Sequence, residues 1–221
     1  MEREFPKNKP FRKTKVTKKV KQVQERILKN IAVFVSGGGT DLQSIIDAVQ
    51  EGSLKVNISL VIGSKAGIYA LERAKSVGIP VHVFCKNDYE NLSAMYEDVI
   101  SLLKLSKIDY IVLAGYLSIL SPNIINAFEG RIINVHPALL PKFGGKGYYG
   151  MRVHEAVIAS GEKISGATVH YVDEGTDTGK IISQGIVPVF PDDTPETLQK
   201  RVLELEHKLL PQTLAELLND K

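Results

Sequence analysis

From Asn30 onward the chain alternates short apolar runs with helical stretches, and this alternation predicts an α/β fold. The apolar runs are continuous, so their strands should be buried on both faces, as in a parallel sheet between two helical layers. A glycine-rich turn joins the first run to the first helical stretch, as in folds that bind ligands at the sheet edge. We therefore predict a Rossmann-like, open, mainly parallel sheet with helices on both faces and a late antiparallel strand.

Periodicity places the individual elements. Runs rich in β-branched residues predict five strands, at 31–35, 56–63, 79–84, 109–115 and 132–136. Apolar residues at three- and four-residue spacing predict helices at 40–51, 67–77 and 89–105. A later strand-like pair, at 166–172 and 180–189, is expected to extend the sheet in the opposite sense. Thr194 and Pro195 open a long closing helix, which should be kinked or broken at Pro211.

The composition is that of a soluble globular protein of 221 residues, with 43% hydrophobic and 24% charged residues. No apolar run approaches the roughly 20 residues that a membrane span needs, so we expect no membrane partner. The single cysteine, Cys85, cannot form an internal disulfide and ends an apolar run, so we interpret it as an inert thiol. A chain without disulfides fits a reducing compartment, and the cytoplasm is the expected location.

The charge is divided unevenly along the chain. Residues 1–29 hold 11 Lys/Arg and 3 Asp/Glu, whereas the remainder holds 17 and 22, so a basic tail precedes an acidic globule. The tail could be a nucleic-acid arm, an amphipathic targeting helix or a solvated extension. We expect a disordered extension outside the fold, and the acidic globule argues against a nucleic-acid partner.

The turn "SGGGTD", at 36–41, is the first candidate binding site. Consecutive glycines let the backbone approach a ligand, and the helix that follows offers free N–H groups with a partial positive charge. The sequence lacks the Gly-Lys-Ser/Thr of a triphosphate loop, and Leu42 occupies the third glycine position of a dinucleotide fingerprint. A phosphate monoester is therefore the simplest ligand, and a tight turn without ligand is the alternative.

Asn134 and His136 lie at the end of a predicted strand, two residues apart, so their side chains should point to the same face. An amide N–H and an imidazolium can together stabilise a developing oxyanion. A carboxylate should orient the histidine and keep it protonated; Asp177 is the best candidate, with Asp173 and Glu174 as alternatives. The chain offers no serine elbow, and no metal is expected because the histidines lack ligand spacing. The pattern indicates direct group transfer between two bound substrates.

Four segments together resemble the phosphoribosylglycinamide formyltransferases, the folate-dependent enzymes of purine synthesis: "SGGGTDLQSII", "VLAGYLSILSP", "INVHPALLPKFGGKGYYG" and "GATVHYVDEGTDTGKIISQ". The resemblance covers residues 31 to about 215, with the motifs in the expected order. It implies a formyltransferase domain at 30–221. The implied reaction transfers the formyl group of 10-formyltetrahydrofolate, a co-substrate, to the amine of glycinamide ribonucleotide, with no metal. Oligomeric state stays open between monomer and homodimer.

The resemblance also implies roles for individual residues. The implied catalytic residues are Asn134, His136 and Asp177. The implied contacts to the nucleotide substrate are Gly39, Thr40, Asp41, Gly115 and Glu206. The implied folate contacts are Leu117, Ser118, Ile119, Leu120, Asn134 and Asp173.

The chain departs from the family pattern at several positions. Asp41 stands where many relatives have Asn, and a carboxylate near a phosphate is unfavourable unless it points away or caps the helix. Ser118 replaces an Arg seen in some members, and the segment 142–157 is a few residues longer than in the shorter ones. The alternative function is that of another 10-formyltetrahydrofolate enzyme, either a hydrolase or a transferase with a different formyl acceptor.

Overall fold

The structure is a computed structural model that describes residues 28–219, which hold seven strands and six α-helices. The strands are β1 (Lys29–Val35), β2 (Val56–Gly63), β3 (Val81–Val83), β4 (Tyr110–Leu113), β5 (Ile132–His136), β6 (Ile164–Tyr171) and β7 (Ile181–Pro188). The helices are α1 (Thr40–Gln50), α2 (Tyr69–Ser76), α3 (Leu92–Leu105), α4 (Pro122–Ala127), α5 (Met151–Ser160) and α6 (Pro195–Leu218), with a short 3-10 turn at Lys86–Asp88.

The seven strands form one sheet in the order β3-β2-β1-β4-β5-β6-β7. The first five strands in this order pair in parallel, whereas β6 pairs antiparallel with both β5 and β7. The predicted mainly parallel sheet with a late antiparallel strand is thus confirmed. The strand order reverses between β1 and β4, and such a switch point opens a crevice at the carboxyl ends of the strands.

Helices cover both faces of the sheet, and β1 explains why. Ile31, Val33 and Val35 point into the core shared with α1, α2, α5 and α6, while Ala32 and Phe34 point into the core shared with α3 and α4. All five side chains are fully buried. A strand buried on both faces must be apolar at consecutive positions, and this is the continuous run in the sequence.

The structure corrects the expectation that Pro211 breaks the closing helix. α6 is one continuous helix through Pro211. Proline removes one backbone donor, but Leu209, Leu210 and Leu214 around it are buried against the core, and this packing holds the helix together. Two helices, α4 and α5, were not predicted: α4 has only six residues, and α5 follows a glycine-rich segment and buries only three side chains.

β1 begins at Lys29, one residue before the predicted domain boundary. The next residue is bonded to the sheet region, because the backbone N–H of Asn30 donates to the Asp109 carboxylate at 2.8 Å. Residues 1–27 lie outside the described residues, so the basic extension at 1–29 stays a prediction. Within residues 28–219, no helix is both long and apolar enough to cross a membrane.

The two leucines near the end of α3 test the assignment of its buried face. Leu103 is fully buried, whereas Leu105 on the same helix is 82% exposed. We expect Leu103→Ala to lower the free energy of unfolding by about 2–5 kcal/mol, because it leaves a cavity. Leu105→Ala, the matched control, should change it by no more than about 0.5 kcal/mol. Urea denaturation measures both, and equal losses would contradict the assigned orientation of α3.

Candidate active site

A cleft of about 490 Å³ lies at the carboxyl edge of β4 and β5, beside the strand-order reversal. Residues from both the first and second halves of the chain line it. The predicted site residues among them are Asp41, Gly115, Leu117, Ser118, Ile119, Leu120, Asn134, His136, Asp173, Asp177 and Glu206. The structure therefore gathers nearly all of the predicted positions around one cavity; Gly39 and Thr40 lie immediately before Asp41, at the start of α1.

The three predicted catalytic residues meet in this cleft. Asn134 and His136 occupy alternate positions of β5, and Asp177 belongs to the loop between β6 and β7. This loop folds back over β5, so that the Asp177 Oδ2 atom lies 3.5 Å from His136 Nδ1. The side chains of His136 and Asp177 are 6% and 13% exposed, so water screens their interaction only weakly.

Both ring nitrogens of His136 face protein groups. Nε2 lies 2.7 Å from the carbonyl oxygen of Phe143, and a carbonyl only accepts, so Nε2 carries a hydrogen. Nδ1 faces the Asp177 carboxylate, and Nδ1 also carries a hydrogen only when the ring is an imidazolium. A positively charged His136 would satisfy both contacts.

His170 holds Asn134 in place. The two residues are directly opposite in the antiparallel β5–β6 pair, which puts their side chains on one face. His170 Nδ1 donates to the Tyr171 carbonyl at 2.8 Å, so a neutral ring leaves Nε2 free to accept from the Asn134 amide at 3.1 Å. Burial lowers the pKa of His170 and favours this neutral form. One Asn134 N–H is thereby fixed, and the other stays available to the cleft.

The Asp177 loop is held by its own backbone and by the segment after β5. Asp177 has a φ of 58°, and its Oδ2 accepts from the Gly145 N–H at 3.0 Å. Asp173 accepts from the Gly175 N–H at 3.1 Å and from the Thr178 hydroxyl at 2.7 Å, and so closes the turn. Asp173 thus shapes the loop that carries Asp177 as well as lining the cleft.

The glycine loop, the turn at 36–41, is held in position by α2. The Ala70 N–H donates to the Gly37 carbonyl at 3.2 Å, and the Arg73 guanidinium donates to the Gly38 carbonyl at 2.8 Å. Gly39 has a φ of 71°, and a Cβ at this position would overlap Ala70. No side chain caps the first turn of α1, so its backbone N–H groups are available to a ligand.

The segment 117–120 forms an apolar wall of the cleft. Leu117 and Ile119 are 64% and 76% exposed, whereas Leu120 is buried. The Leu117 N–H donates to the Ser36 hydroxyl at 2.9 Å, and the Tyr96 hydroxyl lies 3.3 Å from the Ile119 carbonyl. Exposed leucine and isoleucine side chains held on an ordered backbone provide a surface for a flat apolar ligand.

Glu206 of α6 and Asp41 of α1 bring two buried carboxyl groups to the cleft. Burial raises the pKa of both groups, and proximity to Asp41 raises that of Glu206 further. His207 lowers the pKa of Asp41, because its Nε2 atom lies 3.8 Å from Asp41 Oδ1. Among the described residues, no three His, Cys, Asp or Glu side chains are grouped to hold a metal ion.

Sequence reasoning missed several residues that shape the site. His170 faces Asn134 only through the register of β6, and Ser36 contacts Leu117 across 81 positions. His154 of α5 lines the cleft while 2% exposed, and its Nδ1 has no hydrogen-bond partner within residues 28–219. Backbone groups of Phe143 and Gly145 contact His136 and Asp177. Most of these contacts join distant parts of the chain and leave no local sequence signal.

With this fold and cleft, the chain belongs to the formyl transferase family, whose model matches residues 29–214. Among its relatives, the phosphoribosylglycinamide formyltransferase of Haemophilus influenzae is 41% identical over 184 residues, which cover 83% of this chain and 84% of that protein. The chloroplastic phosphoribosylglycinamide formyltransferase of Vigna unguiculata is 45% identical over 87% of this chain. This chain spans 62% of the length of that plant relative.

A solved structure leads to the same group of proteins. The crystal structure of phosphoribosylglycinamide formyltransferase from Bacillus halodurans superposes with a TM-score of 0.82 at 41% identity. The match covers 87% of this chain and 96% of that one. The resemblance to phosphoribosylglycinamide formyltransferases that the motifs suggested is thereby confirmed.

Buried histidines should make the fold sensitive to acid. Burial and the neighbouring His136 lower the pKa of His154 to about 4, below its value of about 6.5 in an unfolded chain. The unfolded chain then binds the proton first, so His154 contributes stability above pH 6.5 that is lost as the pH falls toward 4. We expect urea denaturation at pH 7 and pH 4.5 to give a smaller acid-induced loss in His154→Gln than in the wild type.

The control for this experiment is His82→Gln, because His82 is an exposed residue of the edge strand β3. This variant should keep the full acid-induced loss of the wild type. An unchanged loss in His154→Gln would mean that other groups cause the sensitivity to acid.

Proposed function

We propose that the protein transfers the formyl group of 10-formyltetrahydrofolate to the amine of N1-(5-phospho-D-ribosyl)glycinamide, a step of de novo purine biosynthesis. The observation that carries the proposal is the meeting of Asn134, His136 and Asp177 in one cleft beside an uncapped helix N-terminus. Relatives named for this activity support it. The direct test is a formyl-transfer assay with the purified chain and both substrates.

The nucleotide substrate would bind at the start of α1. Backbone N–H groups at Gly39, Thr40 and Asp41 are free to contact its phosphate, and the helix dipole favours negative charge there. Glu206 would accept hydrogen bonds from the ribose hydroxyl groups. Gly115 has a φ of 67° and has no side chain, so the backbone at the end of β4 leaves space for the glycinamide.

The folate would bind against the apolar wall formed by Leu117, Ser118, Ile119 and Leu120. Its ring system is flat and largely apolar on its faces, which suits the exposed side chains of Leu117 and Ile119. Asp173, in the loop over the cleft, would contact its polar edge. This arrangement would bring the formyl group close to Asn134.

The chemistry then follows from the charges in the cleft. The amine nitrogen attacks the formyl carbon, a C–N bond forms, and the carbonyl oxygen becomes an oxyanion. Asn134 donates its free N–H to this oxygen, and the positive charge of His136, held by Asp177, stabilises it. The bond to the folate nitrogen breaks as that nitrogen gains a proton, while the former amine loses one. Because both His136 nitrogens face protein groups, a water at Asp177 is the simplest carrier of the proton.

The alternative function is that of a 10-formyltetrahydrofolate hydrolase, or of a transferase with another formyl acceptor. A hydrolase would release formate without an acceptor, so the assay is run with and without glycinamide ribonucleotide. Folate turnover that needs the nucleotide supports the proposal, and equal turnover without it favours hydrolysis. The same preparation gives the oligomeric state, which we expect to be monomer or homodimer, while cell fractionation tests the expected cytoplasmic location.

The catalytic role of the His136–Asp177 pair is tested by a double-mutant cycle. Asp177→Asn keeps the shape and removes the charge that favours protonated His136, so turnover should fall by roughly 10²-fold or more. His136→Asn should lose a similar factor. The double variant should lose much less than the product, because both changes remove one function. Fully multiplicative losses would show that the two residues act independently.

The role of the glycine loop is tested by Gly39→Val. The new side chain would overlap Ala70 and displace the backbone that faces the phosphate. Calorimetric titration should show nucleotide affinity falling at least about tenfold while folate affinity changes little, as expected for a loss of helix N-terminal contacts. Gly67→Val is the control, because Gly67 has a similar φ of 73° but has open space around it. Equal losses for both ligands would indicate a general packing role.

A further inference from the structure

Asp41 is an unexpected residue beside a phosphate-binding loop. It is the second residue of α1, where a phosphate and a carboxylate would compete for the same helix N-terminus. Its side chain is 11% exposed, and its Oδ1 atom has no hydrogen-bond partner within residues 28–219. A buried carboxylate oxygen without a partner is costly, so this atom should have a role in binding.

Two residues of α6 share this environment, and with Asp41 they form a cluster of three titratable groups. His207 Nε2 lies 3.8 Å from Asp41 Oδ1 and also has no hydrogen-bond partner among the described residues. Glu206 is also buried beside Asp41. Burial and the neighbouring Asp41 both raise the pKa of Glu206. The carboxyl groups of Asp41 and Glu206 are therefore coupled, and Asp41 also faces the His207 imidazole.

The cluster lies between two cavities. Asp41 and Glu206 line the cleft that contains Asn134 and His136. His207 lines a neighbouring groove of about 620 Å³ between α1 and α6, together with Thr40 and Arg73. A substrate with a phosphate at one end and an amine at the other would cross the cluster, with its phosphate at Thr40 and its amine in the cleft.

We propose that the Asp41–Glu206–His207 cluster takes up a proton when the phosphorylated substrate binds. The inference rests on the proposed function, because that function places a phosphate at this loop. A phosphate ester is close to a dianion at pH 8, and it would be repelled by Asp41 and Glu206 if both were ionised. A proton on His207, or one shared between the two carboxyl groups, removes this repulsion.

Other charged groups near the cluster do not replace this proton. From α2, the Arg73 guanidinium donates to the Gly38 carbonyl and to the Gln43 side chain, and it adds one positive charge to the groove. From α6, Lys208 adds one positive charge to the groove, and from α1, Asp47 and Glu51 add two negative charges. The two positive and two negative side chains therefore cancel in the groove, which leaves no net positive charge there to offset both Asp41 and a phosphate dianion.

The protonated cluster binds the phosphate more tightly, so affinity should fall as the pH rises. Uptake of a whole proton corresponds to a change of about tenfold per pH unit. Asp41→Asn removes one ionised group, so this variant should bind more tightly than the wild type at pH 8.

The test is isothermal titration with D-ribose 5-phosphate at pH 8, in Hepes and in Tris, two buffers with different ionisation enthalpies. This probe carries the phosphate and the ribose but no amine, so proton release from an amine does not contribute. For the wild type, the difference in heat between the buffers should correspond to uptake of between ~0.3 and 1 proton. Asp41→Asn should lose at least half of this uptake and gain about threefold or more in affinity.

Two further variants make the result specific. Asp47→Asn removes an exposed carboxylate from the same helix; because water screens its charge, this variant should keep the proton uptake of the wild type and change affinity less than Asp41→Asn does. Glu206→Gln should also reduce the uptake, and it keeps the test decisive if Asp41→Asn folds poorly.

Heats that do not depend on the buffer in the wild type, or equal uptake in Asp41→Asn, would overturn the inference. So would a complete absence of ribose 5-phosphate binding. The formyl-transfer assay is independent, so its failure would count against the proposed function and not be confused with these outcomes.

Discussion

The parallel pairing of β1 with β4 is the constraint on which the rest of the molecule depends. The chain leaves β1, builds outward to β2 and β3, and then crosses back to place β4 on the other side of β1. The connections that leave β1 and β4 therefore diverge to opposite faces of the sheet and leave a crevice between them. The glycine loop follows one of these strands and Gly115 the other, so the two proposed substrate regions face each other because of strand order alone.

The antiparallel strand β6 brings the remaining side chains to the candidate active site at the end of β5. Its register places His170 opposite Asn134, and the hairpin that follows it folds back so that Asp177 reaches His136. Reversal of one strand thus supplies both the residue that orients the amide and the carboxylate that faces the imidazole.

Much of the architecture could be predicted from the sequence, and the limits have physical causes. Strands such as 56–63 and 132–136 were predicted to the residue, because β-branched apolar residues recur along both. Asn134 and His136 were predictable as a pair from the two-residue period of a strand. His170 and Ser36 were not, because their roles depend on contacts between distant strands. Pro211 does not break the closing helix, since local propensity gave way to the buried leucines around it.

The hydroxyl of Ser36 has a consequence for how the chain tolerates changes in length. Ser36 accepts from the Leu117 N–H and lies 2.9 Å from the Ser64 hydroxyl, so one side chain ties together the ends of β1, β2 and β4. An extra residue in the connection that follows any of these three strands would displace the other two connections. The opposite edge of the sheet has no such tie at the exposed turn around Gly78, which follows α2. Reporter peptides and other insertions should therefore be placed at that turn, where the added residues do not move the strand ends that form the cleft.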